Sequence, residues 1–152
     1  MEIFLGSDHA GFELKEKIKS FLQSKDYAVT DCGPDVYDPM DDYPDFISQV
    51  ARNVSKSREA KGIILGRTGE GEAVVANRFS RVRATVYYGR NDEIIKMSRD
   101  HNDANILSLG AQFLSYEEVI HAINLWLETP FSHAERHIRR IQEIERYPNE
   151  SI

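Results

Sequence analysis

Short apolar runs alternate with stretches of helical periodicity along the chain, and this alternation predicts strands that are each followed by a helix. Runs rich in isoleucine, leucine and valine predict five strands, at residues 3–5, 27–32, 62–65, 83–88 and 106–109. Between the runs, apolar residues spaced three or four apart are typical of amphipathic helices. They predict helices around residues 14–22, 46–54, 74–76, 94–97, 119–127 and 134–145.

Local signals support several of these boundaries. Gly33 and Pro34 end the second strand, and the polar, aspartate-rich stretch 35–44 that follows predicts a loop. Ser115 and Glu118 have the spacing of a capping box, in which each side chain accepts from the other residue's free amide. A helix is therefore expected to begin directly after Ser115.

Strands that alternate with helices over this length predict an α/β fold, with a five-stranded parallel sheet and helices on both faces. In such sheets ligands bind beyond the carboxyl ends of the strands, near the point where strand order reverses. This rule directs attention to Ser7, Asp8 and His9 after the first strand, to the loop 66–71, and to the stretch after strand four.

Size and composition exclude several classes of function. The 152 residues fit one domain, 1–152, and the single cysteine, Cys32, indicates a reducing compartment because it cannot form an internal disulfide. No apolar run approaches the roughly 20 residues that span a bilayer, and the N-terminus lacks the features of a secretory signal. A net charge of −6 disfavours a nucleic-acid partner. We therefore expect a cytoplasmic protein with no membrane or nucleic-acid partner.

The loop 66–71 carries Gly66, Gly69 and Gly71 between a strand and a helix. Glycines there let backbone N–H groups converge on an anion, and the following helix adds its dipole. The spacing matches neither the dinucleotide fingerprint nor the P-loop. The loop therefore predicts a cradle for an anion or oxyanion, with a tight turn that binds nothing as the alternative.

Glu72 lies at the start of the helix after this loop, where two interpretations remain open. A carboxylate in the first turn gains roughly 0.3–1 kcal/mol from the helix dipole, which is a purely structural role. The functional interpretation is a general base whose carboxylate faces the same pocket as the loop amides.

Two histidines leave similar alternatives. His9 follows Asp8 and either contacts a phosphate or is structural, while Asp8 itself is expected to cap the next helix. His101 suits acid–base chemistry near neutral pH, and it equally suits the role of a cation at a helix C-terminus.

Arg136 and Arg140 are four residues apart and therefore share a helix face. The planar guanidinium suits bidentate phosphate contacts, although many solvated helix faces have the same pattern. His133 and His137 also share a face, but no acidic ligand accompanies them as in a zinc-binding helix. No metal site is predicted.

Five separated motifs follow one another along nearly the whole chain. They are GSDHAGFELK at 6–15, DYPD at 42–45, GIIL with the glycine loop and ANR at 62–78, RDHNDAN at 99–105, and RHIRRI at 136–141. Together they resemble the type B ribose-5-phosphate isomerases, a family that also includes the galactose-6-phosphate isomerase subunits. The resemblance implies a Rossmann-like three-layer sandwich, a homodimer or tetramer with sites at the subunit interface, and aldose–ketose isomerisation of a sugar phosphate without a metal or cofactor.

Carried over by position, the resemblance also implies roles for single residues. His101 looks like the acid that opens the furanose ring, with Asp8 assisting. The loop residues implied to hold the developing enediolate are Arg67, Thr68, Gly69, Glu70 and Gly71, of which Thr68 is also grouped with the catalytic residues. The remaining implied substrate contacts are Asn102 to the sugar, Tyr43 along the pocket, and His9, Arg136 and Arg140 to the phosphate.

The chain departs from the common family pattern near the expected base. Many members carry a catalytic cysteine where this chain has Gly66, and an apolar residue where it has Glu72. The chain resembles a second branch, which lacks that cysteine and uses a glutamate. Arg67 and Glu70 are bulkier and more charged than is usual in the loop, and Gln112 stands where an arginine commonly helps with the phosphate.

These features lead to three functional hypotheses. The first is interconversion of ribose 5-phosphate and ribulose 5-phosphate, with Glu72 as the base. The second is isomerisation of a six-carbon aldose 6-phosphate such as allose or galactose 6-phosphate. The third, motivated by Arg67, Glu70 and Gln112, is a non-catalytic subunit that binds sugar phosphates and supports an active partner.

Overall fold

Strands and helices alternate in the computed structural model, which describes residues 1–147. The strands are β1 (Glu2–Ser7), β2 (Ala28–Asp31), β3 (Lys61–Gly66), β4 (Ala84–Tyr87) and β5 (Ile106–Gly110). The helices are α1 (Phe12–Ser24), α2 (Tyr43–Lys56), α3 (Glu70–Ala76), α4 (Asp92–Asp100), α5 (Tyr116–Glu128) and α6 (Glu135–Ile144). The predicted strands and helices are confirmed within this range; the last five residues of the predicted domain 1–152 lie outside it.

The five strands form one parallel sheet in the order β2-β1-β3-β5-β4. From β1 the chain runs outward to β2 on one side, and β3 then lies on the other side of β1. The strand order therefore reverses between β1 and β3, and this is the point at which parallel sheets bind ligands.

Helices cover both faces of the sheet, which confirms the predicted three-layer architecture. On one face the core includes Ile18 of α1, Ile95 of α4 and Trp126 of α5. On the other face it includes Val50 of α2 and Ala76 of α3. The central strands β1 and β3 are buried on both faces, and this explains why they are nearly continuous apolar runs in the sequence.

Two helices begin earlier than the sequence predicts. Helix α2 begins at Tyr43, inside the stretch expected to be a loop, because Pro44 in its first turn has a fixed φ and needs no amide partner. Helix α3 begins at Glu70, so Glu70 and Gly71 belong to the helix and Gly69 is its N-cap residue. Glu72 consequently lies within the first helical turn.

The capping box that opens α5 is confirmed. The Ser115 hydroxyl accepts from the amide of Glu118 at 3.2 Å, and the Glu118 carboxylate accepts from the amide of Ser115 at 2.7 Å. None of the helices within residues 1–147 combines the length and the apolar character needed to cross a membrane.

Candidate active site

The point where strand order reverses places the ends of β1 and β3 side by side. Ser7 and Leu65 are register partners, so β1 and β3 end side by side, with Asp8 directly after β1 and Gly66 as the last residue of β3. The loops that lead to α1 and α3 begin here. The sequence rule that singled out these two loops is therefore confirmed as to their position.

Gly69 fixes the conformation of the glycine loop. Its φ of +81° is in the left-handed region, and an added Cβ would lie 3.1 Å from the Ser108 hydroxyl. That hydroxyl donates to the carbonyl of Gly69 at 2.6 Å and so holds the loop against β5. The positive φ strains any side chain at this position, and the close Ser108 hydroxyl adds to the preference for glycine.

The Glu72 carboxyl group is buried at the same edge, and its residue is only 4 % exposed. Burial raises the pKa of this carboxyl above its ordinary value, and the charge of Asp8 raises it further. The amides of Glu72 itself and of Gly69 act in the opposite direction by hydrogen bonding. The Glu72 carboxyl group is thus close to Asp8 and to the glycine loop.

Gly66 supplies the space that the Glu72 carboxylate occupies. A Cβ built on Gly66 would lie 1.7 Å from Oε1 of Glu72 and 2.1 Å from its Cδ. Atoms at those separations overlap, so no side chain at position 66, cysteine included, is compatible with this conformation of Glu72. The two departures from the common family pattern are therefore one structural feature.

Tyr43 of α2 lies against Gly71, the last residue of the glycine loop. An added Cβ on Gly71 would lie 2.9 Å from both Cζ and the hydroxyl of Tyr43. The phenol ring therefore packs directly on the backbone of the loop. Tyr43 therefore lies next to the loop residues that, like Tyr43 itself, the family resemblance implies as substrate contacts.

Asp8 stabilises a turn rather than the helix that follows. Its Oδ1 accepts from the amides of Ala10 at 2.9 Å and Gly11 at 3.3 Å. Helix α1 begins only at Phe12, with Gly11 as its N-cap residue, and no side chain caps it. The expectation that Asp8 caps this helix is wrong, because three residues separate Asp8 from the first helical residue.

His9 is held by Asp41, which lies in the loop between β2 and α2. Oδ1 of Asp41 accepts from the backbone amide of His9 at 3.0 Å and pairs with its Nδ1 at 2.6 Å. This hydrogen bond raises the pKa of the His9 ring. Asp8, His9 and Asp41 place candidate metal-ligand atoms within 4.8 Å of one another, but a ring bonded in this way favours a proton over a metal.

The remaining predicted residues form a second group around the end of α4. His101 is the C-cap residue of α4, and its ring lies 4.4 Å from that of His137, measured between centroids. Nε of Arg136 donates to Nε2 of His137 at 3.1 Å. Arg140 and Asn102 are exposed nearby in sequence. His101 and Arg136 therefore both contact the buried His137.

The group around Glu72 lies at the carboxyl ends of the strands, and the group around His101 lies at their amino ends. The Asn105 amide donates to the carbonyl of Arg83, and the Asn105 carbonyl accepts from Gly62, so residues 101–105 are at the amino ends of β3 and β4. Glu72 is at the carboxyl edge, a strand length away. A strand of six residues spans roughly 20 Å, so one chain does not bring Glu72 and His101 together.

Arg67 and Gln112 share a small cavity of about 380 Å³ beside His9, with Ala10 and Ala111 completing its lining. The amide of Gln112 donates to the carbonyl of Arg67 at 3.1 Å. Arg67 is exposed, and its positive charge acts against the raised pKa of His9. The cation absent at position 112 is thus available from position 67.

The sequence did not single out Asp41 or assign His137 a role in the site. Asp41 is one aspartate of an acidic loop and contacts His9 across 32 positions of sequence. His137 was considered only as a metal ligand with His133, whereas its ring is buried against His101, and burial lowers its pKa. Helical spacing gave no signal for either contact, because both join separate elements.

Comparison with known proteins gives a consistent result. A family model described as Ribose/Galactose Isomerase matches residues 3–144. The chain is 35% identical over 147 residues to ribose-5-phosphate isomerase B of Mycolicibacterium paratuberculosis, a match that covers 97% of this chain and 91% of the relative.

Solved structures agree closely with this fold. Ribose-5-phosphate isomerase B of Mycoplasma genitalium with bound ribulose-5-phosphate is similar with a TM-score of 0.92 and 36% identity, over 99% of this chain and 97% of that chain. The Clostridium thermocellum ribose-5-phosphate isomerase B is similar with a TM-score of 0.90 and 38% identity, over 98% of each chain.

Proposed function

Because the chain belongs to the Ribose/Galactose Isomerase family, we propose that it interconverts ribose 5-phosphate and ribulose 5-phosphate, with Glu72 as the base. The reaction moves a proton between C1 and C2 through an enediolate. One carboxylate within about 3 Å of both carbons is sufficient for this transfer. Its other requirement is a set of donors directed at the enediolate oxygens, a role that we assign to the backbone amides of the loop Arg67 to Gly71.

The observation that carries the proposal is the fit between Gly66 and Glu72. The carboxylate occupies the position where a side chain on residue 66 would begin, so it stands in place of a thiol at the end of β3. Burial raises its pKa, which makes the ionised form a stronger base than an exposed carboxylate. A carboxylate in the first helical turn with only a structural role would gain no stability from being buried in this way.

We assign the ring-opening acid to His101 of a second chain. Glu72 and His101 lie at opposite edges of the sheet, so a complete site requires two chains in antiparallel orientation, as in a two-fold dimer. Asn102, Arg136 and Arg140 would enter the site with that His101, while Asp8, His9, Tyr43 and Glu72 would come from the first chain. Exposed isoleucines on α6, Ile138 and Ile144, are available for the contact.

A purified heterodimer tests this division of the site. One chain carries Glu72→Gln, the other carries His101→Asn, and two different affinity tags isolate the mixed dimer. One of its two sites is then intact and the other has both changes, so about half of the wild-type kcat per dimer is expected. Each homodimer is expected to be inactive. An inactive heterodimer, with the same mass and melting temperature as wild type, would contradict the shared site.

Arg67 supplies a phosphate cation in this account, in place of an arginine at position 112. Arg67→Ala is expected to raise KM for ribose 5-phosphate about tenfold with little change in kcat, because a charge-assisted hydrogen bond is lost from ground state and transition state alike. Arg52→Ala, an exposed arginine on α2, is the matched control. Equal KM values for the two variants would remove Arg67 from the phosphate site.

Turnover of different sugar phosphates tests the function itself. We expect a higher kcat/KM for ribose 5-phosphate than for allose 6-phosphate or galactose 6-phosphate, and the reverse order would identify a six-carbon isomerase. A subunit that only binds sugar phosphates would shift its melting temperature with ribose 5-phosphate and exchange no carbon-bound proton in deuterated water. Proton exchange by the purified chain would exclude that alternative.

A further inference from the structure

We propose that Asp41 is a positioning residue for the substrate phosphate, acting through His9. The proposal rests on the proposed function, in which His9 contacts that phosphate. Asp41 lies in the loop between β2 and α2 and contacts both the backbone amide and the ring of His9. It has not been assigned a role by the sequence motifs.

The geometry gives Asp41 control over both the backbone and the ring of His9. A single oxygen, Oδ1, accepts from the His9 amide at 3.0 Å and pairs with Nδ1 at 2.6 Å. The Asp41 side chain is 7 % exposed, whereas that of His9 is 31 % exposed. A buried carboxylate therefore holds a ring that remains accessible to a ligand.

The pairing decides which nitrogen serves the substrate. Because an ionised carboxylate only accepts hydrogen bonds, Nδ1 carries a proton and Nε2 is the nitrogen left for the phosphate. Within residues 1–147, His9 makes no side-chain hydrogen bond through Nε2. The Tyr37 ring lies edge-on to the imidazole, at 6.5 Å between ring centroids.

The charges around His9 also favour a cationic ring. The groups that face it are Asp41, Asp8, Arg67 and the phenol of Tyr37. The hydrogen bond to Asp41 makes the largest contribution to the raised pKa of His9, Asp8 adds to it, and burial and Arg67 oppose it. Removing the Asp41 charge therefore lowers the pKa of His9, and the cation is then lost at a lower pH.

The test is Asp41→Asn, which keeps the volume and an acceptor oxygen but removes the charge. The ratio of variant to wild-type KM for ribose 5-phosphate is expected to approach one at a pH low enough that the His9 ring is charged in both proteins. It is expected to rise to about tenfold between the two ring pKa values, with kcat nearly unchanged. Using the ratio cancels the titration of the substrate phosphate, which is common to both proteins.

Matched variants separate positioning from a general effect on folding. Asp42→Asn changes the same charge one residue away, on a side chain that makes no capping hydrogen bond, and is expected to leave KM unchanged. In a His9→Gln background, Asp41→Asn is expected to add no further increase in KM. A further increase in KM in the His9→Gln background would overturn the positioning role. So would changes in kcat and KM that are of equal size at every pH.

A measurement without substrate keeps this inference separate from the proposed activity. The His9 ring is titrated by NMR in wild type and Asp41→Asn, with its signal assigned by its loss in His9→Gln. A lower His9 pKa in Asp41→Asn supports the inference even if ribose 5-phosphate is not turned over, which would count against the proposed function alone. An identical His9 pKa in both proteins would overturn it.

Discussion

Glu72→Gln is expected to lower kcat for ribose 5-phosphate isomerisation by at least about a thousandfold, because glutamine keeps the shape of the side chain and removes the proton acceptor. KM should change little, since the phosphate contacts and the ring-opening residues are untouched. Steady-state assays in both directions measure this. Cys32→Ser is the control, because burial raises the pKa of the Cys32 thiol and keeps it protonated, at the end of β2 and away from Glu72.

The same carboxylate sets the acid limb of the pH profile. Burial raises the pKa of Glu72 above 4.5, its ordinary value, and the base acts only when ionised. Activity is therefore expected to fall as pH decreases through this raised pKa, at a higher pH than an exposed glutamate would give. A profile of kcat/KM against pH checks the sign, and its acid limb should disappear in the residual rate of Glu72→Gln.

The Glu72→Gln variant must be folded for this comparison. The buried position of Glu72 predicts the sign of the change in stability that the substitution causes. A raised pKa means that the folded protein binds the proton more tightly than the unfolded chain. The stabilisation that the folded protein gains by binding this proton is present at low pH and is lost as pH rises through the folded-state pKa of Glu72. The ionised carboxylate therefore lowers the stability of the fold at neutral pH. Glu72→Gln is expected to melt at the wild-type temperature or above it at neutral pH. A lower melting temperature would indicate a structural role for the charge.

Gly66→Ala is expected to lower kcat by about a hundredfold, although the change adds only one methyl group. Its Cβ would lie 1.7 Å from the Glu72 carboxylate, so the base must move out of its present position. The assay is again steady-state kinetics, and a structure of the variant should show a rotated Glu72.

The Glu72→Gln background separates displacement of the base from damage to the sheet. If Gly66→Ala acts only by displacing the carboxylate, it should add no further loss of kcat to Glu72→Gln. A large additional loss, or wild-type activity in the single variant Gly66→Ala, would contradict the steric account.

Local pattern was sufficient to predict the architecture and the two loops that meet at the carboxyl ends of β1 and β3. Strands such as β1 and β3 are apolar because both of their faces are buried, so burial and sequence carry the same information. The capping box at Ser115 was predictable because it is satisfied within four residues. The pairing of Gly66 with Glu72 was visible as two departures from one family pattern, and the structure adds that they occupy one space.

Contacts between distant elements were not predictable in this way. Asp41 reaches His9 through loop geometry that no periodicity encodes, and the motif around Asp8 suggested a helix cap where the chain forms a turn. The separation of His101 from Glu72 follows from the direction in which α4 returns across the sheet. From the sequence alone, both residues are assigned to one site. Only the topology shows that Glu72 lies at the carboxyl ends of the strands and His101 at their amino ends.

Deuterium incorporation at C2 of ribose 5-phosphate tests the central claim most directly. In deuterated water, a base that exchanges its proton with solvent labels C2 of the aldose formed from ribulose 5-phosphate. Wild type and Cys32→Ser are expected to give labelled ribose 5-phosphate, while Glu72→Gln gives essentially none in the same time. Labelling by Glu72→Gln at the wild-type rate would contradict the assignment of Glu72 as the base.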